Sequence, residues 1–279
     1  MASLTRNRST GTLPNEFNVE YYAQRAGATG ASLIISEGIY IEDMGSEWPN
    51  APLLVDKDHA EAWKPVVAAV HGKQSLMVAQ LMHIGRVGCN DMPQQQKTGK
   101  CIVGPSAILA RGATVSLIDA ECVRSRSTQK YRTLSNAPGN SIPVPIKEPQ
   151  EIFDLFENAA NMAKVAGFDG VELHGANGYL IDQFLSDVSN QRTDMWGGSV
   201  ENRCRLALGV VERLCRVYGA DRVGIKLSPW CVDSRSIIGS IDVSAGVTTT
   251  CSSRPERKIS RHSDTWLRSW TNWDWPTCN

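Results

Sequence analysis

GFDGVELHGANGYLIDQFLSDVSNQRTDMWGGSVENR, from Gly167 to Arg203, is the stretch whose reading decides the fold. Gly167 ends an amphipathic run, and a β-rich segment, Gly170 to His174, follows at once. The chain then passes through a polar turn to a second amphipathic run that Ser199 is placed to cap. In an extended segment alternate side chains share a face, so Glu172 and His174 point one way and Val171 and Leu173 the other. Asn177 and Tyr179 come next on the turn. One short segment thereby offers an imidazole, an amide and a phenol to the same ligand, a donor set suited to a carbonyl oxygen and the carbon beside it. Taken singly, His174 could merely end a strand and Tyr179 merely pack its ring.

Outward from this stretch, strand-like and helix-like segments alternate. The strand candidates are a stub at Ala2 to Thr5, then Ser32 to Ser36, Ser75 to Leu81, Gly170 to His174 and Val223 to Leu227. Asp58 and Glu61 suggest a capping box for a helix running to about His71, with Pro65 near its first turn or kinking it. A second helix opens at Pro149, carries Ile152, Phe156, Ala159 and Ala163 at helical spacing, and stops at Gly167. A third begins at Ser199, with Leu206, Val210, Leu214 and Val217 on one stripe, and ends at Gly219. Repeated units of this kind imply an α/β protein, either a TIM barrel or a doubly wound sheet. No strand runs into a Gly-x-Gly-x-x-Gly turn, and the polar side chains gather where strands end, so the barrel is the expectation.

Charge excludes some partners. The chain has 29 basic and 29 acidic residues and is 42% hydrophobic, a balance that does not draw it to nucleic acid or to an anionic membrane. No apolar run reaches the roughly 20 residues that span a bilayer, and the polar start lacks a signal-peptide core, which makes a cytoplasmic protein the expectation. The eight cysteines are scattered without a Cys-x-x-Cys pair, and they read as free thiols. His83 and His174 have no third ligand at zinc spacing, so a metal site is a weak reading. Arg192, Asp194 and Arg203 are expected to anchor loops as ion pairs.

From about Trp230 the alternation stops, and residues 230–279 become rich in Ser, Thr, Arg and Trp. Trp266, Trp270 and Trp273 fit one helical face, so a short packing helix is one reading. Translation of out-of-frame or non-coding sequence is another, and the absence of any clear period favours it.

The Gly167 to Arg203 segment resembles the old yellow enzyme family of FMN-dependent ene-reductases. Leu4-Thr5-Arg6, Ser36-Glu37-Gly38, AQLMHIGR (Ala79 to Arg86) and Val223 to Pro229 resemble successive strand ends of the same family. The resemblance covers residues 1 to about 229 and implies an incomplete TIM (β/α)8-type barrel, with about five of eight units recognisable. It implies a partial FMN-binding domain over 1–229 and a divergent, poorly ordered tail over 230–279. By resemblance His174 and Asn177 hold a substrate carbonyl and Tyr179 protonates the α-carbon. Thr5 and Gly38 approach the flavin O4 and N5 edge, Gln80 the pyrimidine edge, and Lys226 the N1 and O2 side, where the family commonly has an arginine.

The implied activity is reduction of a small enone or enal by NADPH or NADH through FMN, in a chain that could self-associate. The chain begins almost inside the first motif, and nothing after Pro229 resembles the later strands. Loss of the loops that commonly bind phosphate in such barrels predicts weakened FMN binding. A catalytically impaired remnant or a noncatalytic interaction protein is therefore the competing expectation, and a metal-dependent barrel hydrolase a more remote one.

Overall fold

The computed structural model describes residues 1–228, apart from 47, 89, 91–92, 111–113, 118–129 and 134–141. The expectations for the tryptophan-bearing tail, and those for Cys89, Cys122, Cys231, Cys251 and Cys278, lie outside the described residues.

The elements in chain order are α1 (Glu16–Ala23), β1 (Leu33–Tyr40), α2 (Lys57–His71), β2 (Leu76–Met82), α3 (Pro93–Thr98), β3 (Val103–Gly104), β4 (Thr114–Leu117), β5 (Lys130–Thr133), β6 (Val144–Pro145), α4 (Gln150–Ala166), β7 (Gly170–Gly175), α5 (Leu180–Leu185), α6 (Val200–Tyr218) and β8 (Val223–Leu227). β1, β2, β7 and β8 form one parallel sheet in that order. Strands that neighbour one another in sequence order put their crossover helices on a single face. A doubly wound sheet would reverse the order and use both faces. The sheet is thus an arc of a barrel wall. Between β2 and β7 the chain makes two small excursions, the parallel pair β3 and β6 and the antiparallel pair β4 and β5.

Alternation along the strands sorts the two faces. Ile34, Met77, Ala79, Leu81, Val171 and Leu173 are buried in one apolar cluster with Trp63 of α2, Phe156 of α4 and Leu214 of α6. Each such side chain contributes about 1.5–3 kcal/mol when fully withdrawn from water, so this layer fixes the sheet against its helices. The opposite face carries Gln80, Glu172, His174 and Lys226, brought side by side by the register: Gly38 opposite Gln80, Gln80 opposite Glu172, and His174 opposite Lys226.

The expected helix boundaries at Pro149, Gly167 and Ser199 hold. Gly167 caps α4 at φ 93°, the left-handed region that glycine adopts without a Cβ penalty. The Ser199 hydroxyl accepts the Asn202 N–H, and Gly219 closes α6. Two expectations are corrected at α2. Its cap is Asp56, whose carboxylate accepts the His59 N–H at 3.0 Å, because the helix begins at Lys57 and Asp58 already lies within its first turn. Glu61 pairs with Lys64 instead of closing a capping box. Pro65 falls in the helix interior, and the helix is assigned without a break across it.

The strand stub at Ala2 to Thr5 does not form. Only Met1 joins β1, its amino group donating to Leu33 O and its carbonyl accepting the Ile35 N–H. Beyond Met1, a carboxylate of β1 takes the backbone donors of the segment that follows the stub. Glu37, fully buried, accepts from the Arg6 N–H at 3.0 Å and from the Asn18 amide at 3.1 Å. The Asn7 N–H also bonds to it.

Candidate active site

β7 lies between β2, which pairs it as far as Leu173, and β8, which pairs it through Gly175, and the side-chain alternation turns the imidazole of His174 onto the polar face. The ring is buried, and its Nδ1 accepts the Ala176 N–H at 3.3 Å. That bond leaves the proton of the neutral ring on Nε2. Burial, with the Lys226 charge adding to it, pushes the His174 pKa down to about 3, so the ring stays neutral at physiological pH.

The turn after β7 brings Asn177 back over the imidazole. Asn177 and Gly178 both take positive φ, 59° and 73°. The Asn177 Nδ2 lies 3.4 Å from His174 Nε2. Tyr179 stands edge-on to the same imidazole, with ring centroids 5.1 Å apart, and packs against the buried cluster of Tyr40, Ala51, Leu53, Met82 and Ile84. The three residues singled out in sequence are therefore gathered at one strand end, with Asn177 exposed and Tyr179 half-buried.

One layer deeper a polar row crosses the sheet. The Ser3 hydroxyl donates to Gln80 Oε1 at 2.6 Å, and Gln80 Nε2 donates to Glu172 Oε1 at 2.6 Å. Burial raises the Glu172 pKa, opposed by the Gln80 hydrogen bond and the Lys226 charge. Lys226 itself is half-buried beside His174. Thr5, half-buried, follows in the chain between Ser3, anchored on Gln80, and Arg6, anchored on Glu37. Gly38 pairs with Gln80 across β1 and β2. A Cβ there would overlap the Met82 thioether.

The remaining polar candidates have structural partners. Both nitrogens of His83 are engaged, Nε2 with Glu42 at 2.9 Å and Nδ1 with the Gly85 N–H at 2.8 Å. Arg192 pairs with Asp194 as expected and also donates to the carbonyls of Ile146 and Pro105. Arg203 is corrected: it anchors through carbonyls, donating to Leu185 O at 2.9 Å and to Gly198 O, because the loop presents backbone oxygens to it.

Several participants were missed in sequence. Met82 lies two residues beyond Gln80 on the same strand face, a relation that alternation alone would have revealed. Glu172 was placed on the right face but given no partner. Asp182 and Ser228 stand within the quoted stretches but were given no role, and Ser3 and Ser228 matter through contacts with segments distant in sequence. Asp182 is half-buried under the turn, where it accepts the Gly178 N–H at 2.7 Å and bonds the Ser228 hydroxyl. Burial lifts its pKa to about 6 against those hydrogen bonds.

Among the described residues no helix is long and apolar enough to cross a membrane. The sequence profile of the NADH:flavin oxidoreductase / NADH oxidase family matches residues 1–253, past the Pro229 at which the sequence reading sets the limit of its resemblance. The chain is 41% identical over 239 residues to putative 12-oxophytodienoate reductase 5 of Oryza sativa subsp. japonica, a match covering 84% of this chain and 58% of that protein. It is 39% identical over 231 residues to 12-oxophytodienoate reductase 2 of Arabidopsis thaliana, covering 82% and 56%. Among solved structures, the old yellow enzyme homologue from Zymomonas mobilis superposes with a TM-score of 0.69 at 40% identity, covering 82% of this chain and 58% of that one. Morphinone reductase in complex with tetrahydroNAD gives 0.71 at 37% identity, covering 82% and 59%. The chain thus spans less than two thirds of the length of these relatives.

Proposed function

The chain belongs to the NADH:flavin oxidoreductase / NADH oxidase family, that of the old yellow enzymes, and on that premise we propose that it is an FMN-dependent oxidoreductase reducing the C=C bond of α,β-unsaturated carbonyl compounds with electrons from NADPH or NADH. The observation that carries the reading is the pair His174 Nε2 and Asn177 Nδ2, 3.4 Å apart beside the Tyr179 ring. An oxygen about 2.9 Å from each nitrogen completes a triangle with that base, so one carbonyl accepts from both donors.

FMN, when bound, supplies the hydride that reduces the β-carbon. The residues on the polar face suit its heteroatom edge. The buried Gln80 amide already has Nε2 and Oε1 fixed in opposite directions by Glu172 and Ser3, and Lys226 offers a cation. Thr5, Gly38, Gln80 and Lys226 are the proposed flavin contacts. A lysine stabilises negative charge at the pyrimidine side as a point charge, without the planar fork of an arginine.

His174 and Asn177 polarise the carbonyl and then oppose the charge that develops on the enolate oxygen. Neutral donors suit this role, since imidazole and amide reward the charge as it forms. The Tyr179 hydroxyl delivers a proton to the α-carbon as general acid. All these residues fall within 1–229, the segment proposed as the functional domain, and the substrate is a small enone or enal.

The test is anaerobic turnover of the full chain with FMN, NADPH or NADH, and a simple cyclic enone. Saturated ketone accumulating with stoichiometric nicotinamide oxidation supports the reading. Flavin binding without consumption of any enone contradicts it.

A further inference from the structure

We infer that Asp182 is the positioning residue of the donor turn: acting with Ser228, it holds the backbone of Asn177 and Gly178 so that the Asn177 amide faces His174. The inference rests on the reading of His174 and Asn177 as the oxygen-binding pair.

The turn needs such a device. Asn177 and Gly178 take positive φ in succession, 59° and 73°, and a residue with a side chain loses about 1 kcal/mol or more in that region. Two successive left-handed residues also aim their N–H groups to one side, where both must find acceptors. Here they do. The Asn177 N–H donates to Ser228 Oγ at 2.9 Å, and the Gly178 N–H donates to Asp182 Oδ2 at 2.7 Å. Ser228 is in turn hydrogen-bonded to the Asp182 carboxylate. Since Ser228 Oγ already accepts from Asn177, it is the hydroxyl proton that goes to Asp182. The Gly178 carbonyl is taken by the Gln183 amide at 2.8 Å.

The geometry separates this from ordinary helix capping. Asp182 lies in the first turn of α5, where a carboxylate commonly reaches the N–H of the cap residue. Its acceptor instead passes the cap, Tyr179, to reach Gly178, and links it through Ser228 to the strand end of β8. Ser228 lies 51 residues from Asn177 in sequence, so the clasp joins two neighbouring barrel strands across the mouth that carries His174. The donor pair is thereby set by a strand that contributes no donor of its own to the oxygen.

Full-chain variants Asp182→Leu, Asp182→Asn, Ser228→Ala and His174→Ala test this. Amide hydrogen exchange at Asn177 and Gly178 reads the backbone, and affinity of the FMN-loaded chain for phenol, a stand-in for the enolate, reads the donors. Asp182→Leu and Ser228→Ala should each raise exchange at both amides and weaken phenol at least tenfold. Asp182→Asn, which keeps an acceptor for Gly178, should recover most of both. If Asp182→Leu does not fold, Ser228→Ala and Asp182→Asn decide alone. Phenol affinity within twofold of the parent in Ser228→Ala, while His174→Ala loses it, overturns the inference and leaves the oxygen reading standing. If His174→Ala leaves phenol affinity unchanged, the oxygen reading falls. Exchange then decides the inference: faster exchange at Asn177 in Ser228→Ala upholds it, unchanged exchange overturns it.

Discussion

Gln80 and Glu172 face each other across β2 and β7 and share a 2.6 Å hydrogen bond from the amide to the carboxylate, while Ser3 holds the other end of the same amide. Gln80 is therefore a structural joint of the free protein as well as a proposed flavin contact. Gln80→Ala would leave a half-buried carboxylate and the Ser3 hydroxyl without this partner, a loss of about 1–3 kcal/mol. Urea denaturation of the FMN-free chain should show that loss. A variant as stable as the parent would mean that the joint carries nothing.

Glu37 sets a pH dependence. Burial raises its pKa to about 7, against the hydrogen bonds it accepts from Arg6, Asn7 and Asn18. Arg6, Tyr21 and Tyr22 are the titratable groups acting on this site, and Tyr22 exchanges hydrogen bonds with Glu37 through both backbone and carboxylate. A folded pKa above the unfolded value of 4.5 means that the native state binds more protons between the two. Stability from this group is then full below pH 4.5 and falls as pH rises through 7, by at most roughly 3–4 kcal/mol at 1.36 kcal/mol per pH unit. Glu37→Gln should remove that slope from stability measured across the window. A parallel slope in parent and variant would assign it to other groups.

The parts of the fold legible in sequence were those set by local rules. Gly167, Ser199 and the alternation of Val171, Glu172, Leu173 and His174 each follow from backbone geometry within one turn or strand. The stub at Ala2 to Thr5 was misread because the chain is held there by the Ser3 hydroxyl on Gln80 and, just after it, by the Arg6 and Asn7 N–H groups on the Glu37 carboxylate, where a strand neighbour was expected. α1 escaped notice because its face toward the core is short: only Asn18 and Tyr22 are buried, and one of them is polar. In the site, His174, Asn177 and Tyr179 stood out because they sit within one short segment. Ser3 and Ser228 did not, because their meaning lies in long-range contacts, and Asp182 did not, because its link to β8 runs through Ser228.

Tyr179 should separate two half-reactions. Tyr179→Phe keeps the ring that stands against His174 and packs on the cluster of Tyr40, Leu53 and Met82, so the surroundings are preserved. Loss of a general acid costs about 10²–10⁴-fold in the proton-transfer step. Stopped-flow measurement should find the rate of nicotinamide oxidation unchanged and the rate of saturated-ketone formation lowered by that order. Equal rates of ketone formation in the two proteins would remove Tyr179 from the acid role.

The central claim is that His174 and Asn177 together hold one oxygen. Phenol affinity of the FMN-loaded full chain tests it most directly, because the phenolic oxygen resembles the enolate oxygen and no bond is made or broken. His174→Ala and Asn177→Ala should each weaken phenol about tenfold or more, in line with roughly 1.5–3 kcal/mol for a hydrogen bond to a charged acceptor. The double variant should lose less than the sum, since both act on the same atom. Affinities within twofold of the parent in both single variants would contradict the account.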